Sequence, residues 1–355
     1  MKNMDCFVTR YDIDPPDGAE CAVLEDSIMQ KGHPVTAGSK MLHNFISPID
    51  ATVVTLLESA GVTIIGKAKM SEFGVSGLFS YEADQADEPS PCYINGSVEA
   101  VAEGIVSFAL VNDYTGAISR EAALRGLSCI RPTYGTVSRY GLIPSVPSMD
   151  QISIICKTPE DGQRILSIIG KTGDGSLSYH EWQDREPSPV LPCVAADFEL
   201  PHSDVLTQVM QILCCGELSS SLSRYDGVKF GHRTESYDNL NELYTKSRTE
   251  AFGPDAKLVA ITGAMVLSQD NYNRYYDKAM RLRRLIKESL RFYDYNVIMM
   301  RYPSVDQEGI SPVCFLPSLC GLPALTVPHD GGVLTLIADA GREDMLFQAI
   351  KVVSL

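Results

Sequence analysis

The chain has 355 residues, with 30 Lys and Arg against 45 Asp and Glu, a formal charge of −15 and 45% hydrophobic residues. That apolar share on that length can bury a sizeable core, and the Gly and Pro are too dispersed for a disordered polymer. The acidic balance gives no general attraction to phosphate, so direct nucleic-acid binding is not expected.

The first residues, MKNMDCFVTRYD, lack an apolar core and carry Asp5, unlike a signal peptide. The longest mostly apolar stretch, Ala100 to Val111, is broken by Glu103 and Ser107 and is too short to span a bilayer. The 10 cysteines stand singly apart from Cys214 and Cys215, and no C-x-x-C occurs, which suits reduced thiols rather than a disulfide framework. The expected setting is cytoplasmic, with no membrane contact.

In chain order, Asp5 to Tyr11 suggests a strand. Val53 to Gly61 (VVTLLESAG) has helical apolar spacing and a Gly stop, and the β-branched VTIIG that follows predicts a buried strand. Val98 to Val111 reads as a buried helix, preceding a tight turn over Asp113 to Ala117. Gln151 to Cys156 is strand-like. Pro159 to Gly170 opens with Pro and acids in its first turn, the signature of a helix start. Lys171 to Pro192 is rich in turn residues and predicts a loop. A helix is expected over Asp204 to Cys215 with Gly216 as its stop, and the longest one over Asp270 to Tyr293, with a stripe of Tyr275, Ala279, Leu282, Leu285, Ile286 and Leu290. The tail predicts strands around a His329–Gly332 turn, then a helix from Glu343. Helix and strand alternating along the chain define an α/β class without a clear linker.

Standard chemical motifs are missing. The six histidines are scattered without H-E-x-x-H or Cys/His pairing, so no metal is expected. A P-loop, a G-x-G-x-x-G after a strand and a G-x-S-x-G elbow are all absent, and no cofactor is expected. Arg281, Arg283, Arg284, Lys287 and Arg291 form a basic cluster that reads as a solvated helix face, with Glu288 placed to pair with Arg284 and Arg291.

Several segments together resemble the amidase signature family, in particular the A-type subunits of tRNA-dependent amidotransferases. They are KGHPVTAGSKML (31–42) with PIDATVV (48–54), AGVTIIGKAKMSEFG (60–74), RPTYGTVSRYGLIPSVPSMDQIS (131–153), YDGVKFGHR (225–233), LYTKSRTEAFGPDAK (243–257), LSQDNYNRYYDKAMRLRRLIK (267–287) and GLPALTVP (321–328). The resemblance implies a central mixed β-sheet flanked by helices on both faces. It also implies one domain over 1–355, shortened at its N-terminus and between Arg301 and Cys314.

Members of that family use a Lys–Ser–Ser triad, in which a desolvated neutral Lys serves as base, a cis-peptide Ser relays the proton and a second Ser attacks the amide carbon. The family's base falls on Glu25, within Leu24-Glu25-Asp26-Ser27, and its relay Ser falls on Tyr93. The family's Asp-Thr-Gly-Gly-Ser-Ile-Arg-Gln falls on Asp113 to Arg120, which places Thr115 on a glycine, Gly116 on a glycine, Ala117 on the nucleophile, Ser119 on the carboxylate-gripping Arg and Arg120 one place beyond it. The expectation is a non-catalytic protein whose remodelled pocket joins Glu25, Tyr93, Thr115, Gly116, Ala117, Ser119 and Arg120, with Tyr93 filling substrate volume. Such a pocket would take a small ligand, and Glu25 would meet either a cationic ligand or a lysine such as Lys67 or Lys69. A protein like the amidotransferase B-type subunit is the implied partner. The alternative is a working amidase or amidotransferase component using a shifted residue, Cys92, Ser97 or Ser119.

Overall fold

The computed structural model describes residues 5–13, 15–16, 18–79, 95–170, 194–195, 198–303, 312–330 and 332–353. Ten strands form one sheet: β1 (Phe7–Arg10), β2 (Cys21–Glu25), β3 (Thr63–Ala68), β4 (Phe108–Asn112), β5 (Ser128–Arg131), β6 (Ile152–Cys156), β7 (Val194–Ala195), β8 (Val297–Pro303), β9 (Ala324–His329) and β10 (Gly332–Ala338). Their spatial order is β1-β3-β2-β4-β6-β5-β9-β10-β8-β7. β2 runs parallel to both β3 and β4, whereas the strands from β4 through β6, β5, β9 and β10 to β8 alternate in direction. The sheet is therefore mixed.

The helices are α1 (Thr52–Ser59), α2 (Ser76–Phe79), α3 (Gly96–Ala102), α4 (Ala117–Leu124), α5 (Pro159–Ile169), α6 (Leu206–Leu222), α7 (Leu240–Ala251), α8 (Pro254–Leu267), α9 (Tyr276–Ser289), α10 (Leu316–Cys320) and α11 (Glu343–Val353). Strand alternation decides which of them each strand meets. Ala22 and Leu24 of β2 face a core shared with Val53 and Leu57 of α1, Ile165 and Ile169 of α5, and Leu346 and Ile350 of α11. Val23, between them, faces Val98 and Val101 of α3 and Ala122 of α4. Both sheet faces are thus covered, which is why the middle of β2, β4 and β6 is largely apolar on both sides. A third core packs α6, α8 and α9 with α10 and with Ile298, Met300, Val333 and Ile337 of the far strands. No helix among the described residues is long and apolar enough to cross a membrane.

Most predicted elements appear within a residue or two of their expected bounds. Thr158 accepts a hydrogen bond from Asp161 N and caps α5, whose first residue is Pro159. Three expectations are corrected. Val98 to Val111 is not one helix: α3 ends at Ala102, Gly104 takes a φ of 65°, and the chain then enters β4. The β-rich FALVN pairs on both sides, with β2 and β6, and pairing outweighs the apolar run's helical reading. Gly216 does not stop its helix, because α6 continues for 17 residues to Leu222. A Cβ there would lie 2.8 Å from the Tyr276 ring, so this glycine serves contact with α9. The expected long helix is shorter, since residues 270–275 turn and α9 has 14 residues. Its stripe buries Ala279, Ile286 and Leu290, while Leu285 is exposed. The expected loop over 171–192 lies outside the described residues.

The α6–α8 crossing supplies a stability test. A Cβ on Gly263 would lie 2.1 Å from the Cys215 carbonyl oxygen, which is backbone and cannot swing away, whereas at Gly216 the obstacle is a ring edge. Gly263→Ala is expected to lose about 2 kcal/mol or more from this overpacking, and Gly216→Ala less. Urea denaturation of the two variants checks the order, and equal losses would refute it.

Candidate functional site

Glu25 ends β2 and Asn112 ends β4. These neighbours are parallel and in register at Leu24 and Leu110, so both chains leave the sheet at the same edge. In α/β sheets the carboxyl ends of parallel strands are where ligands gather. Glu25 is 1% exposed. Its Oε2 accepts hydrogen bonds from Ser27 Oγ at 2.7 Å and Asn112 N at 2.9 Å, and its Oε1 faces Asn95 Nδ2 at 3.4 Å. All three donors are neutral. Burial pushes its pKa up to about 7, against the downward pull of those hydrogen bonds.

Neither lysine considered as its partner serves. Lys67 is fully buried and donates to the Ile28 carbonyl, with Asp26 and Asp50 as its nearest charge influences. Burial lowers its pKa to about 7. Lys69 pairs with Asp5.

The turn after β4 is organised by Asp113. Its Oδ1 accepts from Gly116 N at 2.8 Å, and its Oδ2 accepts from Ser119 N at 2.8 Å and Ser119 Oγ at 2.5 Å. Thr115 Oγ1 accepts from Ala117 N at 3.3 Å. Gly116 caps α4 at a φ of 80°, which only glycine adopts readily, and a Cβ there would also meet the Cys314 carbonyl oxygen at 2.3 Å. The β-branched Thr115 avoids that conformation, since no positive φ is found at residue 115. On the other side Gly77 of α2 comes so near that a Cβ there would sit 3.2 Å from the Ala117 Cβ and 2.5 Å from Thr115 Oγ1.

The structure therefore brings Glu25 to the backbone that leads into Thr115, Gly116, Ala117, Ser119 and Arg120. Tyr93 and Cys92 lie outside the described residues. Ser119 is buried with its proton given to Asp113, and Ser97 is buried with no hydrogen-bond partner for its hydroxyl. Sequence reasoning did not single out Asn95, Asn112, Asp113 or Glu121 as polar partners. Asn95 caps α3 through Ser97 N at 2.9 Å and gives its own N–H to Glu121 Oε1 at 3.0 Å, tying α3 to α4. An Asn or Asp just before a helical run was the available signal for Asn95 and Asp113. In the basic cluster, Arg284 pairs with Glu288 at 2.7 Å on an exposed face, as expected. Arg283 instead turns inward, with Nε 2.7 Å from Leu319 O and Nη1 2.9 Å from Ser148 Oγ, and is a staple rather than a solvated charge.

The profile of the Amidase family matches residues 22–83, 95–185 and 191–302. The chain belongs to the amidase signature family. It is 34% identical to the A-type subunit of the glutamyl-tRNA(Gln) amidotransferase of Nitrosomonas europaea, across 87% of this chain and 76% of that protein. The crystal structure of the corresponding Thermotoga maritima protein superposes with a TM-score of 0.69 at 23% identity, covering 97% of this chain and 86% of the other. The peptide amidase of Stenotrophomonas maltophilia gives a TM-score of 0.69 at 20% identity, over 93% and 81% of the two chains.

The buried carboxyl of Glu25 makes stability depend on pH. Between its ordinary value of 4.5 and about 7 the unfolded chain has lost a proton that the folded chain keeps, so stability falls as pH rises through that window. Glu121, also pushed up to about 7, adds to the fall, while Lys67, lowered to about 7, loses stability as pH drops through that value. Comparing Glu25→Gln with the unmodified protein isolates the first contribution. The stability of the variant relative to wild type is expected to rise from pH 5 to pH 8, by up to roughly 3 kcal/mol. Urea melts at intervals across that range check it. A constant difference would show that Glu25 is ionised throughout.

Proposed function

We propose that this chain is a non-catalytic member of its family, related to the A-type subunits of amidotransferases, that works in the cytoplasm as a single-domain binding or scaffold protein. The observation that carries the reading is the start of α4. There Ala117 begins the helix where the resemblance puts the family's nucleophile, and alanine has no atom with which to attack an amide. The surrounding donors support it. The N–H groups of Gly116 and Ala117, which would have to face a developing oxyanion, are directed to Asp113 Oδ1 and Thr115 Oγ1. Glu25, at the position of the base, is held by Ser27, Asn95 and Asn112 and has no hydroxyl at residue 117 to deprotonate. A pocket lined by Glu25, Thr115, Gly116, Ala117, Ser119 and Arg120 would then bind rather than transform its ligand.

The Nitrosomonas europaea relative is one component of an amidotransferase, which supports a partner of the B-type kind for this chain. Contact with tRNA would fall to that partner, because a chain of charge −15 is poorly suited to it.

Removal of the nucleophile from a hydrolytic triad costs about 10⁶ in rate. The purified protein is therefore expected to release no ammonia from glutamine, asparagine or simple amides above the uncatalysed background. The single reversion Ala117→Ser is expected to stay silent as well, since no lysine base stands at residue 25. Turnover by the unmodified protein well above background would overturn the reading. Affinity purification from the native cell is expected to bring down a protein like the amidotransferase B-type subunit. Its absence at micromolar concentration would remove the scaffold part of the proposal and leave the ligand-binding part standing.

A further inference from the structure

Under the first turn of α4 lies a cavity of about 20 Å³, enough for one water-sized particle. Ser119 and Arg120, Arg131 of β5, Ser318 of α10, Thr326 of β9 and Thr335 of β10 contribute to its wall. On this wall Arg131 Nε and Ser318 Oγ are buried polar atoms without a hydrogen-bond partner. Arg131 is 3% exposed and Ser318 0%.

The rest of the Arg131 guanidinium is occupied. Nη1 donates to Asp113 O at 2.5 Å and Nη2 to Met149 O at 2.7 Å, both neutral carbonyls. Burial lowers the pKa of this cation to about 10, and Asp113 and Asp150 partly offset that through space. Thr326 Oγ1 and Thr335 Oγ1 stand 3.1 Å apart and share one hydrogen bond, which leaves one of their two protons undirected. Ser119 has given its proton to Asp113 and presents only lone pairs. The wall thus offers Arg131 Nε–H, the Ser318 hydroxyl and one threonine proton, with the Arg120 guanidinium as a second positive charge beside them. An unpaired N–H on a buried charge is the most costly kind of orphan, and a particle with negative charge compensates it better than water does.

We propose that this cavity binds one small monovalent inorganic anion, of the size and chemistry of chloride, through Arg131 Nε–H, the Ser318 hydroxyl and the undirected proton of the Thr326–Thr335 pair. The anion joins α4 and β5 to α10 and the β9–β10 hairpin. This proposal does not depend on whether residue 117 takes part in chemistry.

Thermal unfolding in sodium chloride against sodium gluconate at equal ionic strength reads the binding directly. With chloride about 100-fold above its Kd, the Tm of the unmodified protein is expected to be about 3 °C higher in chloride. Ser318→Ala removes one donor and leaves the helix intact, so it is expected to fold and to lose most of that difference. In crystals grown with sodium bromide, an anomalous peak is expected within hydrogen-bonding reach of Arg131 Nε and Ser318 Oγ. Equal Tm values in the two salts, a chloride effect of the same size in Ser318→Ala, or a cavity that holds water alone in the bromide crystals would each overturn the proposal.

Discussion

One buried carboxyl group, that of Asp113, holds the working edge of this molecule together. The residue is 1% exposed and accepts three hydrogen bonds from the first turn of α4, while its own carbonyl receives Arg131. Such a cap satisfies the orphan donors of a helix start and favours the positive end of its dipole. Here it also fixes where α4 begins relative to β4 and β5. The position of Ala117, the direction of the Gly116 and Ser119 amides and the cavity beneath the helix all follow from that anchorage. Loss of the Asp113 carboxylate would leave the Gly116 and Ser119 N–H groups unpaired and remove one of the two acidic neighbours that favour the Arg131 charge.

Around this anchor the protein collects ionisable groups in an interior that disfavours their charged forms. Glu25, Asp26, Glu121 and Lys67 are all moved toward their uncharged forms, in each case chiefly by burial. Desolvation acts on both signs of charge alike, so acids rise and the lysine falls. Glu25 shows how the site is reconciled with an acid: two asparagines and a serine surround it, and none brings a positive charge.

Much of the architecture could be read locally. PEDGQRILSIIG carries its cap, its proline and its acids in one short segment, and the structure forms α5 there. QISIIC is β-branched and becomes β6 with two neighbours. Errors arose where a residue type has two uses. Gly216 looks like a stop but lies inside α6 because the Tyr276 ring needs its missing Cβ. The apolar run after Val98 looks helical but is divided between α3 and β4, since strand partners from distant segments claim its second half. Arg283 sits among exposed arginines in sequence, yet α10 and Ser148 draw it inward.

The sequence by itself determined the family and the mixed α/β sheet. Tertiary structure decided what surrounds the site residues. That Glu25 meets neutral donors rather than Lys67 or Lys69 follows from parallel pairing of β2 with β4, which brings Asn112 to it. That Arg131 and Ser318 leave orphaned donors on one small cavity follows from packing α4 and α10 against strands far away in the chain. Local propensity carries no record of such meetings. They are set by the requirement that both faces of one sheet be covered, and by the cost of each polar group left unpaired inside.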